Sequence, residues 1–177
     1  MHVQSEQARV VDSQLLRRTL GAFATGVTVV TVGGANPHGM TANSFTAVSL
    51  DPPLVLICVG RDAVMHGLLL RSETFGVSVL ASHQEAAARH FADRRRPLGR
   101  AQFDAVNWLP GELSGAPLLA EAAAQLECAV WRTYDGGDHT IFLGRLLSLD
   151  RRPDAEVLLF LNGRFEQLDR ECSHLTT

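Results

Sequence analysis

The 177-residue chain contains no lysine, so arginine supplies all 16 of its permanently basic side chains. Cysteine is also scarce: Cys58, Cys128 and Cys172 are odd in number and far apart, and they form neither a disulfide framework nor a CxxC ligand pair. A reducing cytoplasm is therefore the expected setting. The abundance of alanine and arginine, with no lysine, favours a GC-rich bacterial genome.

The sequence also lacks any apolar run of transmembrane length, and residues 1–7 lack the basic and apolar regions of a signal peptide. A formal net charge of −3 argues against general nucleic-acid binding. Hydrophobic content of 46% with 20% charged residues predicts one globular domain with a substantial core. We expect a flexible segment over 1–11, the domain over 12–170 and a short tail over 171–177, with no membrane or nucleic-acid partner.

Several familiar site motifs are absent. There is no Gly-x-Ser-x-Gly elbow, no GxGxxG sequence after a strand and no GxxxxGK[ST] phosphate loop. A nucleotide, if bound, is therefore not held by a Rossmann or Walker unit. His83 and His90 are seven residues apart on one predicted helix, roughly 10 Å by helical rise, with no cysteine or carboxylate cluster beside them, so no metal site is expected.

Alternating and β-branched segments predict a mainly β, mostly antiparallel barrel with a few short covering helices. Asp12 or Ser13 is expected to cap a first helix, Asp62 a second over 63–71, and a Ser82/Glu85 capping box a third over 83–92. Gly144 indicates a bulge or a close approach. The predicted strands are 27–32, 40–50, 54–59, 75–80, 123–134, 140–150 and 157–160.

The stretch over 39–53 is dense in small and hydroxylated residues and holds a single ionisable residue, Asp51. Its hydrogen-bonding side chains are Thr41, Asn43, Ser44, Thr46 and Ser49. Such groups either bond their own backbone in a turn-rich β segment or surround a polar, anionic ligand that the backbone approaches closely. The stretch alone leaves both interpretations open.

The wider sequence resembles the short-chain flavin reductase family. The resemblance is carried by Phe-Ala-Thr-Gly-Val-Thr-Val-Val-Thr at 23–31, by Gly-Met-Thr-Ala-Asn-Ser-Phe-Thr at 39–46 with Val-Ser-Leu-Asp-Pro-Pro-Leu-Val at 48–55, and by Gly-Asp-His-Thr at 137–140. It implies an FMN-binding split β-barrel with Greek-key-like topology. It also implies a homodimeric NAD(P)H:flavin oxidoreductase that reduces FAD or FMN by hydride transfer and supplies diffusible reduced flavin to a partner monooxygenase. The choices between FAD and FMN, and between NADH and NADPH, stay open.

The same resemblance assigns site residues. His139 is the catalytic candidate, expected to position the nicotinamide, although a turn histidine without this motif would simply face water. Phe165 stands where the family often has an aromatic residue near the nicotinamide. The residues expected at the flavin are Thr41, Ala42, Asn43, Ser44, Thr46, Val59, Gly60, Arg61, Ala81, Ser82, Gln84 and Phe91.

Plainer interpretations accompany these assignments. Arg61, expected near the flavin phosphate, is otherwise a solvated loop charge, and Phe91 is equally well a core residue. The run of arginines at 94–96 is most simply solvated, with contact to an adenylate or a partner protein as the alternative. Two other functions remain open: an enzyme similar to the pyridoxamine-phosphate oxidases, and a flavin or haem carrier or redox sensor without turnover.

Overall fold

The computed structural model describes residues 12–168, so the expected terminal tails lie outside the described residues. Within that range the chain forms short helices between many strands. The helical segments are α1 (Ser13–Gly21), α2 (Val64–Leu69) and α3 (Glu85–Ala92), with 3₁₀ turns at Ser82–Gln84 and Gly99–Phe103. The strands are β1 (Thr25–Gly26), β2 (Thr28–Val32), β3 (His38–Ala42), β4 (Thr46–Leu50), β5 (Pro53–Gly60), β6 (Thr74–Val79), β7 (Trp108–Pro110), β8 (Pro117–Leu119), β9 (Ala124–Gly136), β10 (His139–Arg151), β11 (Leu159–Leu161) and β12 (Arg164–Glu166).

The strands pair antiparallel throughout the described chain. Seven of them form one sheet in the order β3-β2-β6-β9-β10-β5-β4. A three-stranded sheet, β1-β11-β12, and a two-stranded hairpin, β7-β8, accompany it. The prediction of a mainly β, antiparallel fold with a few short helices is confirmed.

Two hydrophobic clusters support this sheet. The first surrounds the buried side chains of Ile57, Phe75 and Phe142, and the second surrounds Phe91 and Phe103, where α3 and the 3₁₀ turn pack on the sheet. Strand β2 is buried along its whole length, as its β-branched sequence predicts. The packing of the second cluster holds α3 against the sheet beside β3.

The bulge expected at Gly144 is confirmed, since the β9–β10 register shifts between Leu143 and Gly144. A Cβ at Gly144 would lie 2.5 Å from Cζ of Phe75, so the glycine is required by a close approach. Asn162 and Gly163 form a turn, with both residues at positive φ.

The single strand predicted over 40–50 is wrong. It is divided into β3 and β4, which lie at opposite edges of the seven-stranded sheet. Residues 43–45 form the break, and the Ser44 hydroxyl there both accepts from the Cys58 amide and donates to the Cys58 carbonyl, each at 3.0 Å. The short strands β1, β7, β8 and β12 were not predicted.

Two of the three predicted helix caps are also wrong. Asp12 caps α1 as expected, accepting from the Gln14 amide at 2.9 Å. Asp62 does not cap α2, because its carboxylate pairs with Arg94 and the N-cap position falls to Ala63.

No helix among residues 12–168 combines the length and the apolar character needed to cross a membrane.

The capping box expected before α3 is absent as well. The Gln84 side chain, rather than Ser82, bonds the turn, with its Oε1 accepting from the Ala81 amide at 3.0 Å. Glu85 is engaged elsewhere, since it pairs with Arg89 one helical turn along α3 at 2.6 Å. The helix nevertheless begins at Glu85 and ends at Ala92, close to its expected bounds.

Candidate active site

A cleft of about 740 Å³ opens where the end of β3, the break at 43–45, the end of β5 and the β9–β10 turn meet. This volume lies within the usual range for a small-molecule site. The residues lining it are Arg17, Met40, Thr41, Ala42, Asn43, Ser44, Cys58, Gly60, Arg61, Asp62, Ala63, Arg94, Asp138 and His139.

Two of the four hydroxyls of the polar stretch, those of Thr41 and Ser44, bond the protein itself. Thr41 donates to the Ala88 carbonyl at 2.6 Å, which ties β3 to α3, and Ser44 is held by Cys58 as described. The Asn43 side chain is exposed and has no hydrogen-bond partner among the described residues. The structural interpretation therefore applies to Thr41 and Ser44. The ligand interpretation stays a prediction, and Asn43 is the member of the stretch that lines the cleft with an exposed side chain.

His139 opens β10 and pairs across the ladder with Gly60, the last residue of β5. Its Nδ1 lies 2.7 Å from Oδ1 of Asp138, and its side chain is 47% exposed. Hydrogen bonding to His139 lowers the pKa of the Asp138 carboxyl, so this group is an ionised acceptor at neutral pH.

An ionised carboxylate requires the proton on Nδ1, which leaves Nε2 of the neutral imidazole as an acceptor. In this tautomer the neutral imidazole accepts, rather than donates, a hydrogen bond at the cleft. A Cβ at Gly60 would lie 3.7 Å from Nε2, so the glycine keeps the space beside this nitrogen open.

The cationic side chains at the cleft are held to different degrees. Arg61 is engaged twice through its side chain, with Asp135 at 3.0 Å and the Gly137 carbonyl at 2.9 Å. Arg94 has one ion pair, with Asp62 at 2.9 Å, and the hydrogen bond from Arg94 is the main cause of a lowered pKa at that carboxyl. Arg17 has no ion pair within residues 12–168. Arg61 is thus less available to a ligand phosphate than the sequence suggested.

The structure brings together seven of the residues assigned from the sequence and places the others outside the cleft. Thr46 is exposed on the edge strand β4, and the Val59 side chain is buried in the first hydrophobic cluster. Those in the cleft are Thr41, Ala42, Asn43, Ser44, Gly60, Arg61 and His139.

A separate cavity of about 610 Å³ contains Ala81 and Ser82, beside a hydrogen bond between the side chains of His83 and Glu121. Gln84 has a structural role there, since its side chain bonds both the Ala81 amide and the Ala120 carbonyl. In this single chain, those assigned residues therefore lie apart from the residues around His139.

The two assigned aromatic residues pack within the protein. Phe91 is fully buried against Phe103 in the second cluster and also borders a smaller cavity next to the cleft. Phe165 packs edge to face on Phe160, with the Arg89 guanidinium 4.9 Å from its ring centre. The plainer interpretation of Phe91 as a core residue is therefore what this chain shows.

Sequence reasoning missed several residues that line the cleft. Arg17 gave no signal, Met40 belonged to the motif at 39–46 but received no role, and Asp62 was interpreted as a helix cap. Asp138 was quoted in the Gly-Asp-His-Thr motif, where its position next to His139 was the available clue. Among residues 12–168 there is no group of three or more His, Cys, Asp or Glu side chains that could hold a metal ion.

Comparison with known proteins agrees with this geometry. Residues 20–169 match the model of the flavin reductase like domain. The chain belongs to the flavin reductase family. Its fold is the split β-barrel of that family, as the sequence resemblance implied, since it superposes on solved flavin reductases with a TM-score of 0.86.

Three relatives illustrate the membership. An NADH-dependent FAD reductase of Streptomyces globisporus is 64% identical over 156 residues, covering 88% of this chain and 86% of that protein. The solved structure of the S. globisporus C-1027 NADH:FAD oxidoreductase SgcE6, in complex with NAD and FAD fragments, has a TM-score of 0.86 at 58% identity, covering 93% of this chain and 99% of that one. BorF, the flavin reductase component of a bacterial two-component tryptophan halogenase, has a TM-score of 0.86 at 56% identity, covering 90% and 100%.

Proposed function

We propose that this protein is an NADH-dependent flavin reductase that reduces FAD and releases it to a separate flavin-dependent oxygenase. The observation that carries the proposal is the single cleft of about 740 Å³ in which the Asn43 amide and His139 Nε2 face the same space. Family membership and the names of the similar proteins support the donor and the flavin. FMN and NADPH are the competing choices within the same activity.

The residues present fit a flavin and a nicotinamide nucleotide. When bound together, the two cofactors supply the chemistry by hydride transfer from the nicotinamide to the flavin. The Asn43 side chain has a free donor and acceptor for the edge of a polar ring. His139 Nε2 accepts an N–H such as that of a carboxamide, and Asp138 holds the imidazole in that tautomer. The protein thus contributes orientation rather than acid–base catalysis.

We also propose a homodimer. Helix α1 buries none of its own residues in this chain, although it carries a row of leucines. Leu15, Leu20 and Phe23 are 59%, 66% and 78% exposed. An apolar face of this kind is typical of a surface covered by another molecule. A second copy that covers α1 would also lie beside the cleft, because Arg17 of α1 lines it.

A bacterial cytoplasm is the proposed setting. Cys58 and Cys128 are free thiols in the described chain, as expected of a protein in a reducing compartment. Burial raises the pKa of Cys128 to about 12, so this thiol is un-ionised at neutral pH.

The test is steady-state oxidation of NADH and NADPH by the purified protein, titrated with free FAD and FMN. Saturable turnover that depends on added flavin is expected, with FAD and NADH preferred. Coupled turnover with an oxygenase placed across a dialysis membrane would show that the reduced flavin diffuses. The absence of turnover with every pair would overturn the reductase assignment and leave a carrier or a sensor.

A further inference from the structure

A second cavity, of about 290 Å³, adjoins the cleft. The larger chamber contains His139 and Asn43, and the smaller one runs past Phe91 and Leu98. The residues that border both chambers are Met40, Thr41, Asp62, Ala63 and Arg94. The two spaces are therefore parts of one trench, and the Asp62–Arg94 ion pair lies at the boundary between them.

This ion pair is readily exchanged for another partner. The side chains of Arg94 and Asp62 are 78% and 70% exposed, and a single contact of 2.9 Å joins them. An exposed pair of this kind contributes little to stability, because water screens both charges. A phosphate group can accept two parallel hydrogen bonds from a guanidinium, whereas the present pair with Asp62 makes one.

The neighbouring arginines differ from Arg94. Arg61 is held by a carboxylate and a carbonyl, as described above. Arg95 is paired with Asp93 through both its backbone and its side chain, and it borders neither chamber. Arg96 is tied to the Gly39 carbonyl. Arg94 is the arginine of this loop whose guanidinium both borders the trench and has only an exposed side chain as its partner.

We propose that Arg94 exchanges Asp62 for a nucleotide phosphate, which it binds at the boundary between the two chambers. This inference rests on the proposed function and adds a phosphate-binding residue to it. Asp62 then has two opposed effects: it holds Arg94 in place when the trench is empty, and its negative charge repels the phosphate that displaces it. The phosphate belongs either to the flavin nucleotide or to the adenylate half of a dinucleotide, since both present the same chemistry.

Pairs of compounds that differ by one phosphate test the proposal. Isothermal titration of the full-length protein with FMN and riboflavin, and with AMP and adenosine, measures the contribution of each phosphate to binding. Arg94→Gln is expected to weaken one phosphorylated compound roughly tenfold or more, while its unphosphorylated partner changes less than about twofold. Loss confined to FMN identifies the flavin phosphate, and loss confined to AMP identifies the adenylate.

The two members of the ion pair give opposite results if the proposal is correct. Asp62→Asn is expected to tighten the same phosphorylated compound by roughly threefold, because a repulsive charge is removed and Arg94 is released. Arg94→Lys, which keeps the charge and loses the bidentate geometry, is expected to fall between wild type and Arg94→Gln. Arg95→Gln, the adjacent arginine, is the matched control and is expected to bind every compound as wild type does.

Other outcomes would overturn the proposal. Equal weakening by Arg94→Gln and Asp62→Asn, extending to riboflavin and adenosine, would show that the ion pair only supports the fold. Loss in Arg17→Gln with wild-type binding in Arg94→Gln would move the phosphate to α1. Arg94→Gln that binds both FMN and AMP as wild type does would refute this inference and leave the reductase assignment intact, whereas wild type that binds no flavin at all would refute both.

Discussion

Two polar regions at the ends of β3 use the same residue types in opposite ways. At its start, His38 is 4% exposed and packed between Arg96 and the fully buried side chain of Gln102. At the other end lies the rim of the cleft, where His139 is half exposed and bonded only to Asp138. Both regions contain a histidine with a polar neighbour, but only the second leaves a ring nitrogen facing open space.

The difference lies in how completely the hydrogen-bonding groups are satisfied. Gln102 accepts from the Gly39 amide at 2.9 Å and donates to the carbonyls of Pro37 and Gly99 at 3.0 and 2.8 Å. Polar groups whose partners all lie within the protein specify its shape. Removing one of them leaves the others buried without a hydrogen-bond partner. Polar groups with one unused atom at the surface are those that bind ligands. We therefore expect changes in the first region to cost stability and changes in the second to cost activity.

The largest effect is expected for Gln102→Leu. The substitution leaves the Gly39 amide and the Pro37 carbonyl without their present partner, and the free energy of unfolding should fall by about 2–4 kcal/mol. Urea unfolding followed by tryptophan fluorescence measures this loss. Gln167→Leu is the control: its exposed amide bonds the Ser82 carbonyl and no other group within residues 12–168, so a change within about 0.5 kcal/mol is expected. A loss below about 1 kcal/mol for Gln102→Leu would contradict the role assigned to the buried network.

The next effect is a loss of stability in acid that depends on His38. Burial and the nearby Arg96 lower the pKa of His38 from 6.5 to about 4, and both ring nitrogens face N–H donors. The unfolded chain binds a proton at the higher pKa and the folded chain at the lower one. The stability that neutral His38 contributes to the folded state is therefore fully present above about pH 6.5. As the pH falls towards 4, the free energy of unfolding decreases by about 3 kcal/mol.

Unfolding midpoints of wild type and His38→Gln, measured between pH 7 and pH 4, isolate this contribution. The variant should start less stable and lose less stability over that range, because the titrating imidazole is gone. Parallel pH profiles for the two proteins would show that His38 is not protonated on unfolding in this range.

In the cleft, His139→Ala should lower kcat/KM for NADH by roughly tenfold, the equivalent of about 1.4 kcal/mol, because one hydrogen bond to the nicotinamide nucleotide is lost. Its stability should change by less than about 0.5 kcal/mol, since the side chain is half exposed. His83→Ala is the matched control, because His83 also pairs with a carboxylate and is 59% exposed, yet lies outside the cleft. Equal activity losses in both variants would remove His139 from the site.

The smallest effect is expected for Asp138→Asn, which weakens the acceptor that fixes the His139 tautomer. A loss of two- to fivefold in kcat/KM for NADH, or about 0.5–1 kcal/mol, is expected, with the KM for flavin unchanged. Asp135→Asn changes another carboxylate of the same turn, one that bonds Arg61 and the Gly137 amide instead. A similar loss in that variant would mean that the turn as a whole, rather than the tautomer, is responsible.

Much of the fold could be predicted because its strands carry local signals. The β-branched run of β2 and the glycine at 144 each specify their structure through neighbours that any β-sheet supplies. The break at 43–45 was missed because 40–50 looks equally extended throughout, and the break depends on Ser44 bonding the distant Cys58. The Asp62 cap failed for a similar reason, since Arg94, 32 positions along the chain, takes its carboxylate.

The residues of the candidate site were likewise predictable where the signal was local and missed where it depended on distant contacts. Thr41, Asn43 and His139 belong to motifs, and the structure brings them to one cleft. Gln102 carried no signal, since a glutamine in an arginine-rich loop gives no indication that it is fully buried. Contacts between distant segments decide which polar residues become structural, and a single sequence does not contain those contacts in readable form.

The last rung of the β5–β10 ladder, between Gly60 and His139, is also a wall of the cleft. Just beyond it, the Arg61 amide donates to the Asp138 carbonyl at 3.0 Å, which closes the end of the sheet at the site itself. Fraying of the sheet and widening of the cleft are consequently one motion. The exchange rate of the Arg61 amide proton with deuterated solvent is therefore expected to report ligand occupancy of the cleft. This rate should fall in proportion to the fraction of molecules that hold a ligand.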